Sequence, residues 1–300
     1  MGLWILWLVG RVLIAAPWLT PLVSAVVDVA FLATVAAIVW REIMIAKSWF
    51  HAPMAVLITV YAVANGLFHM QALSGGLTDV PERMALGLVM LLLALIGGRV
   101  TPNFTSEFMD QQGLSRQPAP FSRFDGLSVA LVALAAVVWT IQPHASVTGW
   151  ILIGAGLMNG VRLSRWNGWL TLREPLVLVL HVGYGWLVLA LLVLGCAIHG
   201  CGLPTTDAMH ALTAGAVGVM TLGVMTRASL GHTGRPRHAG TSTRFMYVMV
   251  MLGALVRVFG PTAGLATNLV LGLAAFCWSG AYLLFAMFYG PYLLRPSLEE

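Results

Sequence analysis

Ten apolar runs, each close to the length of a bilayer core, constrain this chain more than any other feature. They cover 2–18, 21–40, 52–73, 84–99, 124–142, 146–164, 175–197, 205–227, 244–260 and 263–288. A spanning helix needs about 20 such residues. Between the runs fall prolines, among them Pro17, Pro21, Pro53, Pro81, Pro102, Pro118, Pro143, Pro175, Pro204, Pro236 and Pro261. Proline suits a first helical turn and ends what precedes it. Charged residues make up 9% of the chain and hydrophobic ones 59%, against roughly 25% charged in a soluble domain. Such a chain would precipitate in water, so its partner is the lipid bilayer. The expected fold is all-α: a polytopic integral membrane helix bundle of about ten transmembrane helices, one domain over 1–300. The first run makes a poor signal peptide, because it lacks a basic start and holds Arg11 in its interior. The stretch from Thr101 to Arg123 is polar and carries prolines, and it reads as a loop. Three cysteines are too few for a disulfide scaffold. The basic balance, +5, does not point to nucleic acid, since the cations sit between apolar runs.

Orientation follows from those cations. Of sixteen Lys and Arg, thirteen fall in the connections after the second, fourth, sixth and eighth runs or in the C-terminal tail. Arg83 and Arg257 fall on the opposite side, and Arg11 lies within a run. Both termini are therefore expected in the cytoplasm. At about 1.5 Å of rise per residue, His210 lies roughly 8 Å in from the outer surface, His69 roughly 6 Å and Asp28 roughly 10 Å. Arg11 and Arg257 share that outer half, whereas His181 lies roughly 9 Å from the cytoplasmic surface.

Polar groups in lipid are expensive, so each asks for a partner or a ligand. Tyr61, Asn65 and His69 form one stripe at four-residue spacing. Thr206, His210, Thr213 and Thr221 fall within about 80° of one another around the eighth helix. His181 shares a face with Tyr184 and Gly185. Each has a structural reading beside the functional one. A membrane histidine can bond a neighbouring helix, and Arg11 with Asp28 can be a packing ion pair. Cys196, His199 and Cys201 cluster at one helix end; their spacing matches no metal motif, and a disulfide or two free thiols fits better. His232 lies in a glycine-flanked turn that permits unusual backbone.

One long stretch carries a family likeness: His210-Ala211-Leu212-Thr213, Gly218, Met220-Thr221-Leu222, then Val224-Met225-Thr226-Arg227 through Gly231-His232-Thr233-Gly234-Arg235-Pro236. Gly10-Arg11, Asp28 with Phe31, Asn65 with Phe68-His69, Gly98-Arg99-Val100, Arg162 with Trp166, Arg173-Glu174-Pro175, His181 with Tyr184, Arg257 and Tyr289-Gly290-Pro291 follow the same order. On these residues the chain resembles NnrS proteins over essentially its whole length. The resemblance implies a bacterial inner-membrane protein that binds haem and copper. It links the chain to nitric oxide in denitrification or nitrosative-stress resistance, and leaves the electron donor and any catalytic step open. The family usually has twelve helices; this chain is expected to begin about two short, without the family's histidine–glutamate motif. The family's basic, asparagine-rich loop before the third run is weakened here to Lys47-Ser48-Trp49-Phe50-His51.

Haem iron takes axial imidazole, and haem propionates take arginine. The resemblance therefore points to a b-type haem on the outer side. His210 would be the first axial candidate and His69 the second, with Arg11 and Arg257 on the propionates. His181 would serve a second metal or a proton path. A haem–copper oxidase is disfavoured, because the chain has no adjacent histidine pair. From other classes, a transporter or channel for a small solute or metal would line its path with Arg11, Asp28 and the histidines. A membrane subunit that helps assemble a reductase is a third possibility.

Overall fold

The computed structural model describes residues 2–16 and 19–298; Pro17 and the end of the first apolar run lie outside the described residues. The chain is all-helical, a polytopic membrane helix bundle. Its helices are α1 (Gly2–Ala15), α2 (Pro21–Ala46), α3 (Ala52–Leu73), α4 (Asp79–Leu92), α5 (Gly98–Gln111), α6 (Arg123–Ile141), α7 (Ser146–Ser164), α8 (Pro175–Ile198), α9 (Thr205–His210), α10 (Gly218–His232), α11 (Thr241–Phe259) and α12 (Thr267–Leu293). Two π-helical turns, Leu93–Gly97 and Ala211–Val217, join α4 to α5 and α9 to α10 without a break. Among the described residues, eight continuous helical segments are long and apolar enough to cross a membrane. Gly2–Ala15 is shorter, and Ser146–Ser164 falls outside that set.

Local chemistry accounts for the helix starts. Pro21 and Pro175 sit at first-turn positions, and Glu174 caps α8 by accepting from the Leu176 N–H at 3.1 Å. Ser122 and Asp125 form a capping box at the start of α6.

The expected loop over 101–123 is corrected: the helix runs on to Gln111, making one 33-residue segment from Asp79. Gly98, Thr101, Thr105 and Met109 are buried at three- to four-residue spacing while Asn103 and Asp110 are exposed, so α5 is amphipathic rather than apolar. Hydropathy alone misses such a helix. Pro102 is tolerated inside it because the acceptor it deprives, the Gly98 carbonyl, takes a hydrogen bond from Arg162 Nη2 at 3.1 Å.

The contacts divide into two compact units, one of residues 1–88 with 139–141, the other of 89–138 with 142–300. In the first, α1 packs on α2 and α2 on α3. In the second, α7 pairs with α8 and α11 with α12, while α8 also packs along α10 and its preceding π turn. The buried side of this unit is dense in large groups, among them Trp166, Tyr184, Leu187, Leu191 and Leu194.

Candidate functional site

Three of the expected polar residues meet in the first unit, on Asp28. This carboxylate is 4% exposed and is ion-paired with Arg11 through Oδ1. Its Oδ2 accepts from Asn65 Nδ2 at 3.1 Å and lies 3.0 Å from His69 Nε2. Gly10 favours the arrangement: a methyl there would stand 3.2 Å from Asp28 Oδ1 and 3.3 Å from its Cα, so a side chain would push the two helices apart by a few tenths of an ångström. A cavity of about 260 Å³ opens beside the cluster, lined by Arg11, Asp28, Tyr61, Asn65, Glu82 and aromatic groups. Asn65 Oδ1 is buried there without a hydrogen-bond partner. His69 faces a second, apolar cleft formed with α2 residues such as Val26 and Val29. Because its Nε2 serves Asp28, only Nδ1 remains for another ligand.

His210 and Arg257 meet in the second unit. Both line an apolar cleft of about 460 Å³ whose walls include Val217, Leu271, Ala274 and Trp278. That volume is in the range of ligand pockets, about 300–1,000 Å³. Both are half-buried, and neither Arg257 nor His210 Nε2 has a hydrogen-bond or salt-bridge partner among the described residues. His210 Nδ1 stands 3.5 Å from Thr213 Oγ1, at the limit of a hydrogen bond. Asp207, buried one turn earlier, and Arg257 are both within electrostatic reach of the imidazole.

The π turn that follows His210 reshapes the expected threonine stripe. It widens the helix, so residues on either side no longer follow one 3.6-residue face. Thr206 is exposed, Thr213 stays beside His210, and Thr221 bonds the Tyr282 hydroxyl at 2.6 Å. Side chains of α12 bond carbonyls along the turn: Trp278 Nε1 donates to Ala214 at 3.3 Å and the Tyr282 hydroxyl to Gly218 at 2.9 Å.

His181 is buried and apart from that cleft's lining. Its Nε2 lies 2.8 Å from Thr105 Oγ1, and its Nδ1 is buried without a partner. Tyr184, wholly buried, bonds Asn159 Oδ1 at 2.6 Å and accepts from Arg162 Nη1 at 2.9 Å. Arg227 pairs with Glu107 at 2.6 Å and covers the Phe104 ring at 4.0 Å. Arg235 lies over Tyr292 and donates to the Thr233 carbonyl at 3.1 Å. His232 ends α10 and is exposed.

The sequence reading missed the second unit's main polar centre. Arg162, counted there as a loop cation, is 1% exposed and makes four hydrogen bonds. Its partner Asp125 also accepts from Arg165 and Ser122. Two signals pointed near it: Arg162 with Trp166 in the family likeness, and the Ser-x-x-Asp pattern at 122–125, which marks a capping box but says nothing of arginine.

For a haem, the donor set in the His210 cleft fits: one free imidazole nitrogen, one unpaired guanidinium and apolar walls. For copper it does not, since no three His, Cys, Asp or Glu side chains come together to hold a metal ion among the described residues. The family model for NnrS protein matches residues 1–297. No curated protein and no solved structure matches the chain.

Proposed function

The chain belongs to the NnrS family, which makes it a nitric-oxide-related membrane protein at family level, and from that premise we propose that it holds a b-type haem in the His210–Arg257 cleft and binds nitric oxide there. The observation that carries this reading is a pair of half-buried groups in apolar walls that no protein group pairs among the described residues: His210 Nε2 and the Arg257 guanidinium. A polar group facing apolar walls gains from a partner, so the cleft suits a ligand that engages both. His210 would be the axial ligand, with Thr213 and Asp207 biasing the orientation of its ring. Arg257 would pair with a propionate, a charge-assisted bond. The haem iron, when bound, would supply the coordination position that nitric oxide takes. His69 ranks second, because Asp28 already holds its Nε2, and Arg11 is likewise committed to Asp28. Denitrification or nitrosative-stress resistance is the physiological setting, in a bacterial inner membrane with both termini in the cytoplasm.

The test is the absorption spectrum of the purified full chain, with and without nitric oxide. A Soret band that shifts with nitric oxide and disappears in His210→Ala is expected. If His210→Ala and His69→Ala both left the haem spectrum unchanged, the assignment would be wrong. The polar cavity beside Asp28, with its unpartnered Asn65 oxygen, favours a second reading, passage of a small solute. A colourless, metal-free protein would put transport ahead.

A further inference from the structure

Cys196 and Cys201 bracket the end of α8. The helix closes in a Schellman turn: the Cys201 N–H donates to the Cys196 carbonyl at 3.1 Å and the Gly200 N–H to the Ala197 carbonyl at 3.0 Å. Gly200 supplies the left-handed backbone, at φ +74°. This turn places the two residues joined by the outer hydrogen bond side by side, where an apolar contact is usual. Here both are cysteines. Cys201 Sγ lies 3.2 Å from the Cys196 carbonyl oxygen, so its thiol is turned back onto the residue it would join. Both are free, and Cys201 is exposed. The turn is held firmly, because His199 at the cap packs 4.6 Å from the Trp150 ring of α7 and fills the space left by Gly149. A disulfide requires close Cα atoms and converging Cβ vectors; the outer hydrogen bond of this turn holds the two residues' backbones together, and Cys201 Sγ already turns back onto Cys196.

We propose that Cys196 and Cys201 form a redox-active dithiol, a site of thiol–disulfide exchange whose co-reactant is a disulfide. The exposed Cys201 thiolate attacks the co-reactant's S–S bond, expels one thiolate and forms a mixed disulfide. Cys196 then loses its proton, attacks Cys201 Sγ and expels the second thiolate. Two protons pass from the protein thiols to the two released thiolates. The protein is oxidised by two electrons and the co-reactant reduced by two. On the orientation that the basic residues imply, this turn lies on the side opposite the cytoplasm, and disulfides persist outside the reducing cytoplasm. The new bond would tie the end of α8 to the segment that enters α9, the helix ending at His210. The proposal stands apart from the haem reading.

The experiment is thiol counting on the folded, detergent-purified full chain equilibrated in glutathione buffers. Oxidised glutathione should remove two of the three free thiols from maleimide labelling, and dithiothreitol should restore both. Cys277→Ser should keep the bond. Cys196→Ser should stop at the first step, leaving a stable glutathione adduct on Cys201 by mass. The proposal is overturned if all three thiols stay reactive in oxidised glutathione while the chain remains monodisperse. It is overturned equally if the bond survives in Cys201→Ser, which would require Cys277.

Discussion

Replacing Arg162 by methionine removes one guanidinium from a site that water cannot refill. Four acceptors lose their donor: Asp125 Oδ1 at 3.1 Å, the Ala94 carbonyl at 2.8 Å, the Tyr184 oxygen at 2.9 Å and the Gly98 carbonyl at 3.1 Å. Removing one partner of a buried ion pair costs about 3–5 kcal/mol. Arg165 and Ser122 remain on Asp125 Oδ2, which moderates that loss. The Gly98 carbonyl lies beneath Pro102, where no i+4 N–H replaces the arginine, and it adds about 1–3 kcal/mol if left bare. Relaxation makes these terms less than additive, so we expect a loss of about 4 kcal/mol from the range for buried pairs. Reversible unfolding from mixed micelles into SDS measures it. Arg165→Met is the control: Arg165 holds the same carboxylate but is more exposed, and about 1 kcal/mol or less is expected there. Arg162→Met with Asp125→Leu should recover part of the loss, since replacing both members of a buried pair is far milder than removing one. The reasoning fails if Arg162→Met is no worse than Arg165→Met, or if the double substitution simply adds.

Three further outcomes follow from the same geometry. Gly98→Ala would place a methyl on the Arg162 guanidinium, and a loss of about 1–3 kcal/mol is expected from overpacking in the same unfolding assay. Asp28→Asn should destabilise the first unit, and its effect should overlap with that of Arg11→Met; a coupling of about 0.5–3 kcal/mol in the double-mutant cycle would show the pair acting together. Strict additivity would show that the ion pair carries nothing. Arg257→Ala should weaken haem retention while leaving the spectrum's band shape unchanged, because it removes a propionate partner and not an iron ligand; a changed ligand-field pattern would contradict that role.

How much was readable depended on whether the controlling free energy is local. Helix rise together with the asymmetry of basic residues puts His210 and Arg257 in one expected layer, and the structure lines one cleft with both. The Arg11–Asp28 pairing was visible for the same reason, and Gly10 beside it marks the close approach. The difference between His210 and His69 was not visible. Both are membrane histidines in polar stripes, yet one has a free Nε2 and the other gives its Nε2 to a carboxylate 41 residues away. Helix α5 was missed because its apolar face is only a stripe, which a hydropathy average dilutes.

Transfer of an apolar run into lipid depends on the run itself, so the membrane class and the helical architecture were determined by sequence alone, whereas the extent of the segment from Asp79 to Gln111 was not. Hydrogen-bond partners are chosen by packing. Arg162 reaches Asp125, Ala94, Gly98 and Tyr184 across 37, 68, 64 and 22 residues. No periodicity along the chain encodes those meetings, and a basic residue at a helix end looks the same whether it faces water or closes a buried network. Only the tertiary structure decided that Arg162 is the buried centre of its unit and that Arg257 is left unpaired beside His210.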